Sequence, residues 1–108
     1  MSWTSLCAMD ELTEDRGKYV EISGFELAVF LQKGNVYVLD NTCPHANGPL
    51  AEGFIENGCV VCPLHMWTFK LENGNFADSD SPGITAYKIR LHERDGKSPL
   101  IQADLPIY

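Results

Sequence analysis

Apolar and polar residues alternate in short runs separated by turn-forming residues, and no segment shows apolar periodicity of helix length. Residues 3–8 (WTSLCA) read as a first strand, and the acidic stretch MDELTEDRG that follows reads as a turn ending at Gly17. KYVEISG (18–24) alternates Tyr19 and Glu21 against Val20 and Ile22, which predicts a strand ending at Gly24. FELAVFLQ (25–32) is a second apolar run. Lys33-Gly34-Asn35 links it to VYVLD (36–40), a pairing that predicts a hairpin.

Residues 51–58 (AEGFIENG) are rich in turn formers, with Asn57-Gly58 as a hairpin turn. CVVC (59–62) and MWTFKL (66–71) read as two strands of one hairpin, followed by the closing turn Glu72-Asn73-Gly74-Asn75. A polar stretch (76–83) turns at Pro82-Gly83. ITAYKIRL (84–91) predicts a single strand. Ile84, Ala86, Lys88 and Arg90 lie on one face, and Thr85, Tyr87, Ile89 and Leu91 on the other. HERDGKS (92–98) reads as a charged turn and PLIQADL (99–105) as the last strand. The fold class is therefore all-β: a small antiparallel sandwich or barrel with a loop-built cap. At 108 residues, without repeats or a linker, the chain (1–108) reads as a single domain.

Charge narrows the functions open to such a fold. The net charge is −7 and the pI about 4.7. Both disfavour nucleic acid, which calls for a basic footprint, and an anionic membrane surface. The same charge reads either as solubility alone or as steering toward a basic patch on a redox partner, and by itself does not decide between the two. No apolar run approaches the ~20 residues that span a bilayer. The start of the chain lacks a basic segment followed by an apolar one, so the expected location is cytoplasmic.

The candidate chemistry lies between Asn41 and Leu71. Cys43-Pro44-His45 and Cys62-Pro63-Leu64-His65 each offer one thiol and one imidazole, and sixteen residues separate His45 from Cys62. Two thiolates and two imidazoles can hold one zinc ion or a two-iron cluster. Cys-x-His is tighter than the Cys-x₂₋₄-Cys knuckle of a zinc finger, and no His-x₃₋₅-His partner accompanies it. Pro44 fixes the backbone between the first two ligands, and Gly48-Pro49 turns it back. Cys7 and Cys59 read as small buried hydrophobes rather than a disulfide pair. His92, beside Glu93 and Arg94, reads as a surface residue, and Phe54, Ile55 and Phe69 as core.

The two boxes resemble those of the Rieske [2Fe–2S] family. Pro44, Gly48, Pro49, Leu50, Gly53, Pro63 and Trp67 fill the loops in the family's manner. The resemblance implies the Rieske fold, with a cluster-binding subdomain of about residues 41–76 inserted into a basal sheet domain. It also implies a Rieske-type [2Fe–2S] cofactor, with Cys43 and Cys62 on one iron and His45 and His65 on the other. High-potential members carry an extra Cys in each loop; here Leu64 precedes the second His, and Ala46, Asn47 and Gly48 follow the first. Those members also place Ser and Tyr hydroxyls two and four residues after the second His, where this chain has Trp67 and Phe69. A low-potential carrier is the implied result. Pro44, Met66, Trp67 and Pro82 would form an apolar collar around an exposed histidine edge.

A Rieske oxygenase needs, in addition, a mononuclear iron held by two His and a carboxylate. Two of the three His are already committed, so the chain reads as an electron carrier without catalysis of its own. Within the family, CPHANGPLAEG and CPLHMWTFKLENG are most similar to the small subunit of assimilatory NAD(P)H nitrite reductase, whose partner is the large subunit. Ferredoxin components of ring-hydroxylating dioxygenase systems, which serve a reductase and an oxygenase, are similar too, and share Met66. The reading from another class is a zinc-bound or cluster-free interaction module.

Overall fold

The computed structural model describes residues 2–41, 49–63, 67–79 and 81–106. Among the described residues, ten strands run β1 (Ser2–Ala8), β2 (Gly17–Ile22), β3 (Phe25–Gln32), β4 (Asn35–Asp40), β5 (Phe54–Glu56), β6 (Cys59–Val61), β7 (Thr68–Lys70), β8 (Ala86–Tyr87), β9 (Ile89–Arg94) and β10 (Lys97–Leu105). They form three antiparallel sheets, ordered β1-β10-β9, β2-β3-β4-β8 and β5-β6-β7. Single 3-10 turns, Met9–Glu11 and Leu50–Glu52, interrupt the connections. The all-β antiparallel reading holds.

The β2-β3-β4-β8 sheet is the middle layer, as the apolar run in β3 explains. Leu27 and Val29 enter one core with Cys7, Val38, Ile101, Ala103 and Leu105, which belongs to the β1-β10-β9 side. Ala28 and Phe30 enter the other with Leu39, Leu50, Val60, Cys62, Phe69 and Leu71, on the β5-β6-β7 side. Successive strand residues point to opposite faces, so a strand covered on both sides must be apolar at every position. Leu27, Ala28, Val29 and Phe30 are all fully buried. Each such side chain contributes about 1.5–3 kcal/mol by burial, Ala28 less.

Two hairpin turns follow from the residues at their tips. Asn57 (φ 51°) with Gly58 (φ 78°), and Lys33 (φ 52°) with Gly34 (φ 80°), place two consecutive residues in the left-handed region. That two-residue geometry matches the twist of the flanking strands and favours Asn-Gly and X-Gly pairs. Asn35 therefore belongs to β4 rather than to the link.

Four further expectations change. The strand expected over 18–24 ends at Ile22, because Ser23 and Gly24 form the turn into β3. The turn-rich stretch 51–58 contains β5, an edge strand, and Phe54 on it is 45% exposed rather than core. The charged stretch 92–98 is mostly strand, with the turn confined to Asp95 and Gly96. His92 accordingly lies within β9, exposed as expected.

The fourth change concerns 84–91, which is two strands. Tyr87 pairs with Val38 in the middle sheet, whereas Ile89 pairs with Ala103 in the outer one. The chain crosses between sheets at Lys88, whose carbonyl accepts the Asp104 N–H at 2.9 Å. Facing survives the crossing: Ile84 and Ala86 pack toward one core, Tyr87 and Ile89 toward the other. Strands that change sheets in this way make the corners of sandwiches.

Candidate metal centre

Two connections carry the predicted ligands, and both are closed at the base. The first leaves the end of β4 at Asn41 and returns at Leu50. The Asn41 carbonyl accepts the Leu50 N–H at 2.7 Å, and its side-chain Oδ1 accepts the Ala51 N–H at 2.8 Å. The second joins β6 to β7, where the Cys62 N–H donates to the Trp67 carbonyl at 2.7 Å. Cys62, the first residue of the second box, thus stands at the base of the β6–β7 hairpin; the expected tip at 64–66 lies outside the described residues.

The two bases adjoin. Phe54 pairs with Val61, the residue before Cys62. Gly53 sits so close to that strand that a Cβ would lie 2.1 Å from the Val61 carbonyl oxygen, so only glycine fits there. Leu50 and Cys62 share one buried cluster. A third segment closes around the hairpin: the Ala77 N–H donates to the Thr68 carbonyl at 2.9 Å, and the Phe76 N–H to the Ser81 carbonyl at 2.9 Å. Trp67 meets Phe76 edge-on with ring centroids 5.3 Å apart, and these two with Thr68, Ala77, Asp78 and Ser79 line an open groove beside the second loop.

Of the four predicted ligands, Cys62 is described and is fully buried. Cys43, His45 and His65 lie outside the described residues, as do Pro44 and Met66 of the expected collar. Of the other collar residues, Trp67 is half-buried and Pro82 exposed. The donor set suits a mixed-ligand iron–sulfur centre. Cys62 stands in an apolar cluster where an anionic sulfur requires a metal to take its charge. The first box follows a hydrogen-bonded base at Asn41, and the second begins at one, Cys62.

The remaining thiols have a different chemistry. Cys7, Cys59 and Cys62 are free, so the first two form no disulfide. Burial, with Glu11 adding to it, pushes the Cys7 thiol up to about 11. Burial also raises the Cys59 thiol, although Cys59 is only partly buried. Both are neutral thiols at pH 7, poor as metal ligands and nucleophiles. The Cys7→Ser/Cys59→Ser double variant is expected to keep the visible spectrum and iron content of the parent. Loss of iron in it would place one of these sulfurs at the metal.

Sequence reading missed the anchoring role of Asp40 and Asn41. Tyr87 donates its hydroxyl to Asp40 Oδ1 at 2.7 Å, and the Asp40 N–H donates to the Thr85 carbonyl at 3.0 Å. The Tyr87 phenol is driven well above its usual range, first by burial and then by this carboxylate. These bonds tie β8 to the end of β4, immediately before the first ligand loop. No local motif marks them, because the partners are more than forty residues apart.

Among the described residues, no helix is long and apolar enough to cross a membrane. The family model for the Rieske [2Fe-2S] domain matches residues 2–88. The anthranilate 1,2-dioxygenase ferredoxin subunit of Burkholderia cepacia is 35% identical over 91 residues, covering 82% of this chain and 83% of that one. Among solved structures, the NADH-dependent nitrite reductase small subunit of Mycobacterium tuberculosis superposes with a TM-score of 0.83 at 23% identity, over 98% of this chain and 97% of that one. A ferredoxin from Sphingomonas yanoikuyae B1 superposes with a TM-score of 0.81 at 26% identity, over 97% and 100%. The fold is therefore the Rieske fold, and the cofactor is a Rieske-type [2Fe–2S] cluster. With the family model covering most of its length, this chain belongs to the Rieske [2Fe–2S] family, as an electron-transfer protein of ferredoxin type.

Proposed function

We propose that this chain is a cytoplasmic, low-potential electron carrier, a single domain over 1–108 whose cluster-binding part spans about residues 41–76. Cys43 and Cys62 hold one iron, and His45 and His65 hold the other. When bound, the cluster supplies a site for one electron, accepted from a donor protein and passed on. The chain's own residues position it: the hydrogen-bonded bases at Asn41 and Cys62 aim the two loops, and the apolar wall of Leu50, Val60, Phe69 and Leu71 excludes water behind Cys62. Free Cys7 and Cys59 suit the reducing cytoplasm.

The partner we favour is the oxygenase of a multicomponent dioxygenase system, with a reductase as donor. One observation carries this: the 35% identity to a dioxygenase ferredoxin subunit extends over more than four-fifths of both chains. The second reading is the small subunit of assimilatory nitrite reductase. It is favoured by Pro44 and Pro63 in the two boxes, where dioxygenase ferredoxins often carry Thr and Ser. The Mycobacterium tuberculosis neighbour shares the fold over nearly its whole length.

Capture of the tagged chain from its own cells, with the visible spectrum of what accompanies it, separates the two. A second Rieske signal with mononuclear iron is the expected result. A sirohaem-and-flavin signature would replace the first reading with the second.

A further inference from the structure

Asn41 is the buried polar side chain among the described residues, with 6% of its surface exposed. Burying an amide is unfavourable unless its groups find partners. Here the backbone N–H donates to the Glu26 carbonyl at 2.9 Å and the backbone carbonyl accepts the Leu50 N–H at 2.7 Å, while the side-chain Oδ1 accepts the Ala51 N–H at 2.8 Å. The first bond fixes Asn41 to the middle sheet. The other two bring the far end of the 42–49 connection back to the residue from which it departs. Leu50, fully buried, then seats that end in the cluster that contains Cys62.

One residue thus sets the starting point of the first ligand loop, its end point and its placement against the wall carrying a ligand of the second. The side-chain oxygen supplies the acceptor for Ala51 while the backbone carbonyl serves Leu50. A residue serving the core alone would be apolar at this depth.

We propose that Asn41 is a positioning residue for the cluster: by clamping both ends of the 42–49 loop it holds Cys43 and His45 in register with Cys62 and His65. The inference rests on the ligand assignment made under Proposed function. Asn41 touches neither iron nor sulfide in this account. It acts through the loop, so its loss should alter the geometry of a cluster that is still bound.

The test compares three full-length variants. Asn41→Ala removes the bond to Ala51 and leaves both backbone bonds. Asn41→Asp keeps an acceptor oxygen of the same shape. Ile101→Ala, in the other core and fully buried, destabilises the fold far from the loops. In the cluster-free protein, amide exchange at Ala51 should rise about tenfold in Asn41→Ala and return toward the parent rate in Asn41→Asp. In the cluster-loaded protein, Asn41→Ala should show shifted, broadened electron paramagnetic resonance lines and faster iron loss. Ile101→Ala should show the parent's lines despite a lower melting temperature. Parental resonance lines in Asn41→Ala, with a fall in melting temperature like that of Ile101→Ala, would overturn the proposal and leave Asn41 a purely structural residue. Absence of a Rieske signal in the parent would overturn the ligand assignment instead, and the inference with it, whatever the exchange rate at Ala51.

Discussion

Replacing His45 or His65 with alanine is expected to abolish the Rieske spectrum. The difference from an all-cysteine [2Fe–2S] centre lies in the two imidazoles on one iron. Under the proposed assignment, losing either would leave that iron short of a ligand. The third histidine, His92, is exposed on β9 and pairs with Leu100 in the basal sheet, remote in sequence from both ligand loops. Replacing Cys62 with serine should be at least as damaging, since a hydroxyl at a fully buried position is a far poorer ligand than a thiolate. The visible and paramagnetic resonance spectra of each variant check this. An unchanged Rieske signal in His45→Ala or His65→Ala would refute the ligand assignment.

The second large effect is on potential. Two neutral imidazoles in place of two thiolates remove negative charge and favour the reduced cluster, which puts Rieske centres at about −150 to +300 mV against about −400 mV for plant-type ferredoxins. Position within that range follows from hydrogen-bond donors to the sulfurs, because each donor stabilises the added electron. The hydroxyls that high-potential relatives place two and four residues after the second His are replaced by an indole and a phenyl ring. Phe69 is fully buried, its ring 5.0 Å from that of Phe76, and brings no hydroxyl into the site. The midpoint is therefore expected near about −150 mV, at the lower end. A redox titration landing near about +300 mV would contradict this and would require strong donors to the sulfurs in place of the missing hydroxyls.

The Asn57-Gly58 and Lys33-Gly34 turns were legible because two consecutive left-handed residues are a local demand, met by a local dipeptide. The two Cys/His boxes stand out in the sequence for a similar reason, since metal ligation dictates residue type and spacing within a few positions; of their four proposed ligands only Cys62 lies among the described residues. The crossing at Lys88 was not. The two-residue alternation runs through it unbroken, with Ile84 and Ala86 facing one core and Tyr87 and Ile89 the other. Only the change of hydrogen-bonding partner, from Val38 to Ala103, marks the corner.

Phe54 shows the opposite failure. Apolar character suggested burial, yet β5 is the edge of its sheet, and the residue lies on the outward face. The clamp at Asn41 was invisible because its meaning comes from Glu26, Leu50 and Ala51, which tertiary structure alone brings together.

Iron, acid-labile sulfide and zinc counted per purified chain, with the visible spectrum before and after reduction, separate a cluster from a zinc site. A reddish-brown protein with two irons and two sulfides that bleaches on taking up one electron is expected. A colourless protein with one zinc per chain would contradict it and make the two boxes a structural zinc site.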